Sequence, residues 1–291
     1  MRDLTFTSER VGGVEIIGGP YAFVYLVGGK LLIDTGTAYW GKRITEFLRE
    51  RGIGISLLFF THSHYDHIGG APYVITEFSP QVFAHPYFHR VFSSERAIKL
   101  INELNLREGE MVGFKDKNYE FKPFEFLPLD DGQTLELKDH RITAYYTPGH
   151  TRDTITFVIE PEMIAVMGEA VGVPNHNNTF ILPQFLTGLG DYIKGIQFIT
   201  SLDIEVLGLP HEMVIRGKVN VKNYLKNSYE TTLWYAEYLK GLIKEYGDHW
   251  EGIKNRVIED IYKKHSLRQP MHAFLANLQA QINVIKGEFN L

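Results

Sequence analysis

Residues 61–70 constrain the fold of this chain more than any other segment, because they crowd metal-binding side chains into one loop. Within six residues the segment holds three histidines and one aspartate: His62, His64, Asp66 and His67. Residues 57–60, directly before it, are all apolar, as expected for a strand buried on both faces. A loop leaving a rigid strand end can direct several side chains toward one point, and imidazole nitrogen and carboxylate oxygen suit zinc, iron or manganese. We therefore predict a metal site here; the alternative is a solvated histidine-rich turn.

The first two thirds of the chain alternate between short apolar runs and glycine-rich turns, a pattern that predicts strands. The predicted strands cover residues 14–17, 23–27, 31–33, 57–60, 82–84, 142–146, 155–159, 163–167 and 206–209. Residues 39–51 have apolar side chains on one helical face and are followed by Gly52, which predicts a helix that stops there. Strands mixed with helices predict an α/β or α+β sandwich.

The last third has no strand pattern. From Val221 to Ile243 apolar residues recur at spacings of three and four, which predicts an amphipathic helix. Asp248 and Glu251 form the pattern of a capping box that opens a second helix, and the apolar positions between residues 271 and 285 predict a third. We predict a boundary near residue 216, with a catalytic domain over residues 1–216 and a helical extension over residues 217–291.

Composition narrows the possible partners and chemistry. The chain has 291 residues, no cysteine and a net charge of −5. The lack of cysteine excludes disulfides, thiolate metal sites and cysteine nucleophiles. The lack of a basic excess argues against nucleic acid as a partner. The first ten residues lack an apolar signal region, and no apolar run is long enough for a membrane helix, so we expect a cytoplasmic protein without a membrane partner.

The order of the motifs resembles one enzyme superfamily. The string of residues 62–67 resembles the His-x-His-x-Asp-His signature of the metallo-β-lactamase superfamily. Four further segments resemble later and earlier motifs of that family in the correct order: residues 31–36, 146–151, 166–169 and 209–211. The resemblance implies an α+β fold, an αββα sandwich here followed by a C-terminal helical extension, with the site at the edge between the sheets.

The resemblance also implies a division of metal ligands. The first metal would take His62, His64 and His150, and the second would take Asp66, His67 and His211. Glu169 and a water would bridge the two metals, and Asp34 would orient a ligand without binding a metal itself.

Two residues depart from the family pattern. The family usually has aspartate at Glu169, and glycine where Pro210 precedes His211. The alternatives are a structural glutamate beside a single metal, a turn histidine at His150 and a surface histidine at His211. A plain turn aspartate is the alternative at Asp34.

The expected cofactors are two divalent ions, zinc first and iron or manganese otherwise. Such ions lower the pKa of a bound water from about 15.7 to about 7, and two of them also polarise the substrate. Asp66 would then relay a proton to the leaving group.

The helical tail guides the expected substrate. In this respect the chain is similar to glyoxalase II and the quinolone-signal thioesterase, which implies a small-molecule thioester, ester or lactone. The alternatives are a phosphodiesterase or phosphatase with the same site, and a non-hydrolytic regulatory protein that contains metal. Tyr65 and His176, the latter within the polar segment 172–180, are candidate substrate-binding residues. The tail either covers one side of the site or forms a homodimer.

Overall fold

The computed structural model describes residues 5–291, so the first four of the ten N-terminal residues considered for a signal region lie outside it. The first half of the chain builds a seven-stranded sheet in which neighbouring strands follow one another in sequence. Its strands are β1 (Thr7–Val11), β2 (Val14–Gly19), β3 (Ala22–Val27), β4 (Leu31–Ile33), β5 (Leu57–Phe59), β6 (Gln81–Ala84) and β7 (Leu127–Pro128). Strands β1 to β4 form an antiparallel meander, and β4 to β7 run parallel.

The second sheet has six strands in the order β15-β14-β11-β10-β9-β8, and a small hairpin stands apart from both sheets. The second half of the chain forms the strands β8 (Thr134–Leu137), β9 (His140–Tyr146), β10 (Ile155–Glu160), β11 (Ile164–Val166), β12 (Val173–Pro174), β13 (Ile181–Leu182), β14 (Val206–Gly208) and β15 (Ile215–Arg216). The hairpin is β12 with β13. Strands β11 and β14 pair in parallel, and the other neighbours in this sheet pair antiparallel.

Helices cover the outer faces of both sheets. They are α1 (Ala38–Glu50), α2 (Tyr65–Ile68), α3 (Ala71–Phe78), α4 (Phe88–Phe92), α5 (Glu95–Met111), α6 (Leu189–Ser201), α7 (Lys218–Tyr246), α8 (Trp250–Val257) and α9 (Met271–Phe289). A π-helical segment, Ile258–Lys263, continues α8. No helix within residues 5–291 combines the length and the apolar character that crossing a bilayer requires.

Three hydrophobic clusters separate four layers. One lies between the sheets, where the Phe59 and Phe157 rings are 5.3 Å apart. A second joins the first sheet to α1, α3 and α5 and includes Leu58 and Phe60. The third joins the second sheet to α6 and the C-terminal helices. The layers are therefore helix, sheet, sheet, helix, and the segment before the histidine loop is buried on both faces as predicted.

The C-terminal helices pack against their own sandwich. Leu239 of α7 and Phe274 and Ile282 of α9 belong to the same hydrophobic cluster as Ile196 of α6. This continuous core shows how the extension is held in place, while the division at residue 216 and the homodimer stay predictions.

The predicted capping box is wrong. Helix α8 begins at Trp250 with His249 as its N-cap and without a side-chain cap. The Asp248 carboxylate instead accepts a hydrogen bond from Lys286 of α9. The Asp248 carboxylate thus forms an ion pair with a distant helix instead of capping the start of α8.

Candidate metal centre

The histidine loop is fixed to both sheets. It leaves β5 of the first sheet and forms the short helix α2. The Thr61 carbonyl accepts a hydrogen bond from the Ile155 N–H at 2.7 Å, at the start of β10 in the second sheet. The Ser63 N–H donates to the buried Asp153 carboxylate at 3.1 Å. The loop is therefore held where the two sheets meet.

Two groups of side chains that could bind metal ions lie side by side at this edge. One is His62, His64 and His150, and the other is Asp66, His67, Glu169 and His211. Within each group, one candidate ligand atom per residue lies within 4.8 Å of the others. The side chains come from the segments after β5, β9, β11 and β14, so all seven predicted residues meet although they span 150 positions of the chain.

Glu169 lies between the two groups. Its Oε2 is 3.4 Å from His62 Nε2 and 3.3 Å from His150 Nε2. Its Oε1 is 3.3 Å from His67 Nε2 and 3.2 Å from His211 Nε2. Each carboxylate oxygen therefore faces a different group, and the longer side chain of glutamate spans the distance between them.

Hydrogen bonds from the far side of each ring orient the imidazoles. His150 Nδ1 donates to the Gln184 carbonyl at 2.7 Å, and His211 Nδ1 donates to the Tyr21 carbonyl at 2.8 Å. His67 Nδ1 donates to the Asp34 carboxylate at 2.8 Å. Each contact leaves Nε2 directed at the centre, which is how proteins orient histidine ligands of metals.

Asp34 lies behind the site and contacts His67 on the side of the ring away from the centre. Its backbone has a φ of 61°, in the left-handed region. Its carboxylate accepts the Thr61 N–H at 2.8 Å and the Thr61 hydroxyl at 2.7 Å, besides the His67 ring. Thr61 Oγ1 gives its proton to Asp34, so it can accept one from His62 Nδ1 at 3.1 Å. Asp34 thus orients His67 directly and His62 through Thr61.

Burial and charge shift the pKa values of four of these histidines in opposite directions. Burial lowers the pKa of His62 well below its usual range and the pKa of His150 to about 4. Burial also acts to lower the pKa of His67 and His211, but nearby carboxylates outweigh it. They hold the pKa of His67 well above its usual range and raise that of His211 to about 10.

The pKa of the acidic residue Glu169 results from the same two opposing effects. Burial alone would raise the pKa of Glu169, but electrostatic interactions with the surrounding imidazoles, with His67 first, hold it well below its usual range. Two buried atoms of the centre nevertheless lack any hydrogen-bond partner within residues 5–291: His62 Nε2 and Glu169 Oε2. Buried polar atoms are rarely left unpaired. These two face each other inside a set of nitrogen and oxygen donors that fits divalent cations.

Two glycines make the approach of these side chains possible. Gly149 has a φ of +125°, and a Cβ there would lie 2.4 Å from the Tyr192 nitrogen. Gly168 has a φ of +51°, and a Cβ there would lie 3.1 Å from His62 Nδ1. A side chain at Gly149 would collide with the Tyr192 backbone, and one at Gly168 would crowd the His62 ring.

A cavity of about 440 Å³ opens over the centre. One wall comes from α5 and is largely apolar, with Ala97, Leu100 and Leu104. A further part of the wall comes from the start of α9, with Ala273 and Asn277. The C-terminal extension therefore borders the site, as predicted for a tail that covers one side of it.

The two candidate substrate-binding residues have different positions. Tyr65 lines the cavity, whereas His176 lies in the exposed turn of the β12–β13 hairpin and is not part of the cavity wall. The structure therefore does not bring His176 to the site, and its predicted role gains no support. Two further wall residues, the acidic Glu108 and the basic His272, were not predicted from the sequence because neither lies in a recognisable motif. Glu108 Oε1 and His272 Nε2 are 3.5 Å apart.

The fold and the paired groups define the class of protein. A sequence model of the metallo-beta-lactamase superfamily matches residues 17–211, which include every residue of both groups. The chain belongs to the metallo-beta-lactamase superfamily, which confirms the predicted family and the predicted αββα sandwich. Most members are hydrolases and typically bind divalent metals, and this chain carries side-chain groups suited to them.

Individual relatives share less than a third of their aligned residues with this chain. The chain is 28% identical over 232 residues to "Lactamase-like protein nscB" of Neosartorya fischeri, covering 76% of this chain and 58% of that protein. It is 26% identical over 179 residues to an "Atrochrysone carboxyl ACP thioesterase" of Emericella nidulans, covering 59% of this chain and 47% of that protein. The aligned regions thus span about half the length of these relatives.

A solved structure covers nearly the whole chain. The metallo-beta-lactamase family protein of Thermus thermophilus superposes with a TM-score of 0.66 at 21% identity, over 96% of this chain and 94% of that one. This likeness shows that the fold, including the C-terminal helices, recurs in another member of the superfamily.

Proposed function

We propose that the protein is a metal-dependent hydrolase in which a water activated at a dinuclear centre attacks an ester-type bond: a thioester, an ester or a lactone. The observation that carries this proposal is the position of Glu169, whose two carboxylate oxygens each face one of the two groups of histidines. A carboxylate placed in this way supports a paired centre better than one metal site beside a structural glutamate.

In this proposal His62, His64 and His150 would hold one ion, Asp66, His67 and His211 would hold the other, and Glu169 would contribute to both sites. Zinc is the expected ion, with iron or manganese as alternatives, because imidazole and carboxylate suit all three. Two such ions, when bound, lower the pKa of a water and polarise the carbonyl or other oxygen of the substrate.

The side chains themselves supply the proton transfer. Burial alone would raise the pKa of Asp66, but its hydrogen bond to His211 and the charge of His67 lower it. Asp66 is therefore ionised at neutral pH and can accept a proton from the attacking water. The same carboxyl then passes that proton to the leaving group.

The cavity supports an acyl substrate. Apart from Glu108, the α5 wall is apolar, and the volume of the cavity exceeds what a water and a small anion need. The thioesterase among the relatives makes a thioester the first expectation for a small-molecule substrate. The superfamily fold alone would not favour one bond type over another.

We expect the purified protein to carry two divalent ions per chain, because the two groups offer seven ligands with five imidazoles among them. Treatment with a chelator should remove the ions and abolish hydrolysis, and adding zinc back should restore it. Elemental analysis of protein made without chelators measures the ions directly. No more than trace metal in such protein would refute the proposed centre.

A substrate panel tests the reaction itself. Metal-loaded protein should hydrolyse chromogenic thioesters and esters with a higher kcat/KM than bis(4-nitrophenyl) phosphate or 4-nitrophenyl phosphate, because the α5 side of the cavity is largely apolar and suits an acyl chain better than a phosphate group. An Asp66→Ala protein purified in parallel controls for contaminating esterases. Turnover of the phosphate esters alone would replace the proposal with a phosphodiesterase or phosphatase, and no turnover at all would favour a regulatory protein.

A further inference from the structure

A buried amide next to the metal centre has no partner for its nitrogen. Gln184 follows β13, is 1% exposed and lines the cavity. Its side-chain Oε1 accepts a hydrogen bond from Asn277 Nδ2 at 2.9 Å. Its Nε2 has no hydrogen-bond acceptor within residues 5–291. Because Asn277 occupies the oxygen, the donating end of the amide is the end left over.

The backbone of Gln184 is fixed to the centre. Its carbonyl holds the His150 ring at 2.7 Å. Its N–H donates to the Tyr192 hydroxyl at 3.2 Å, and that hydroxyl donates to the Glu169 carbonyl at 3.1 Å. The side chain therefore extends from a main chain that contacts the segments of two predicted ligands.

A neighbouring glutamine shows that this part of the fold can satisfy a buried amide. Gln281 of α9 is 2% exposed, its Nε2 donates to the Pro183 carbonyl at 2.7 Å, and its Oε1 accepts the Tyr235 hydroxyl at 3.2 Å. Gln281 does not line the cavity. A buried donor without an acceptor costs stability, so an unpaired amide at a cavity wall suggests an acceptor supplied by a ligand.

We propose that Gln184 Nε2 donates a hydrogen bond to the carbonyl oxygen of the acyl substrate and binds that oxygen more strongly as negative charge develops on it. This inference rests on the proposed hydrolase function and names a group that recognises its substrate. An amide N–H binds an oxygen acceptor, so the ligand at this position is a carbonyl or an oxyanion and not a cation.

The step balances without transfer of the amide proton. The oxygen of water bonds to the carbonyl carbon, the π electrons of the C=O bond move to the oxygen beside Gln184, and Asp66 takes the proton of the water. When the C=O bond re-forms, the bond to the leaving group breaks and that group receives the proton from Asp66. The amide of Gln184 only donates its hydrogen bond, and Asn277 positions it.

The central variant is Gln184→Met, which keeps the length of the side chain and removes the donor. We expect kcat/KM for the best ester or thioester to fall by about 10²-fold, the usual cost of losing one donor to an oxyanion. The variant should keep both metal ions, because the contact to His150 comes from the main chain. Asn277→Asp should have a similar effect, since the new carboxylate would accept Nε2 and turn it away from the substrate.

Gln281→Met is the matched control. It removes a buried amide whose hydrogen bonds are all internal, so it should lower the melting temperature and leave kcat/KM unchanged. Equal losses of activity in Gln184→Met and Gln281→Met would show that Gln184 only supports the fold. Loss of metal from Gln184→Met would likewise overturn its assignment as a donor.

A binding measurement separates this inference from the hydrolase proposal. Benzylphosphonate carries the tetrahedral oxyanion geometry and needs no turnover. Calorimetry on metal-loaded protein should show binding that Gln184→Met weakens by about tenfold. If the wild type hydrolyses no ester, the proposed function fails while this result still decides the role of Gln184. Equal affinity in both proteins, or no binding to the wild type, would overturn the inference.

Discussion

Replacing His64 or Asp66 with alanine is expected to lower kcat/KM for the best ester or thioester by at least about 10³-fold, because each change breaks one of the two groups that would activate the water. His64 belongs to the first group and Asp66 to the second. Both side chains lie at the half-buried edge of the sandwich and outside its three hydrophobic clusters. The melting temperature of metal-free protein should therefore change little.

The matched control is His89→Ala, which removes an exposed histidine of α4 outside the cavity. It should retain the activity and the metal content of the wild type. Steady-state kinetics, elemental analysis and circular dichroism on all three variants separate loss of chemistry from loss of fold. Wild-type turnover by a folded His64→Ala, Asp66→Ala double variant would show that the assigned roles are wrong.

Glu169→Gln is expected to have the second largest effect. The change keeps the shape of the side chain and removes the charge that faces both groups and that raises the pKa of His67 and His211. We expect the metal content to fall from two ions toward one and kcat/KM to fall by at least about 10²-fold, because the second ion would lose its shared carboxylate. Elemental analysis and kinetics on the same samples measure both.

Glu162→Gln controls for the loss of a partly buried glutamate at the other end of the same strand. Glu162 precedes β11, whereas Glu169 follows it, and its carboxylate contacts His140 at 3.3 Å, away from both metal-type groups. This variant should keep two ions and full activity. A Glu169→Gln protein that also keeps both would show that Glu169 is a structural residue.

The sequence predicted most of the layers because their strands are apolar runs between turns. It did not predict β1, whose residues are nearly all exposed and which forms only by pairing with β2. It also did not predict α5. The buried face of this helix includes the polar residues Asn105 and Glu108, which interrupt the apolar spacing that predicts an amphipathic helix. Asn105 bonds to the Ala38 N–H and the Tyr65 carbonyl, so tertiary contacts replace the hydrophobic signal there.

The candidate ligands could be predicted from local sequence motifs, whereas the other residues of the site could not. Each ligand lies in a short motif next to a strand, and those motifs can be recognised before the fold is known. Gln184 and Asn277 lie 93 positions apart and meet only when α9 packs beside the centre. No sequence pattern predicts such a contact between distant residues. The same is true of Asp153, which accepts a hydrogen bond from the Ser63 N–H of the histidine loop.

The two sheets contribute separately to the centre: His62, His64, Asp66 and His67 extend from the first sheet, and His150, Glu169 and His211 extend from the second. An ion held by both sets can acquire its full coordination only after the sheets have closed against each other. Metal uptake would then be the last event in folding. Ions that bind only the folded state stabilise it by a free energy that grows with the free ion concentration, about 4.1 kcal/mol at a thousand times Kd. The supply of metal would therefore set the stability of the chain as well as its activity.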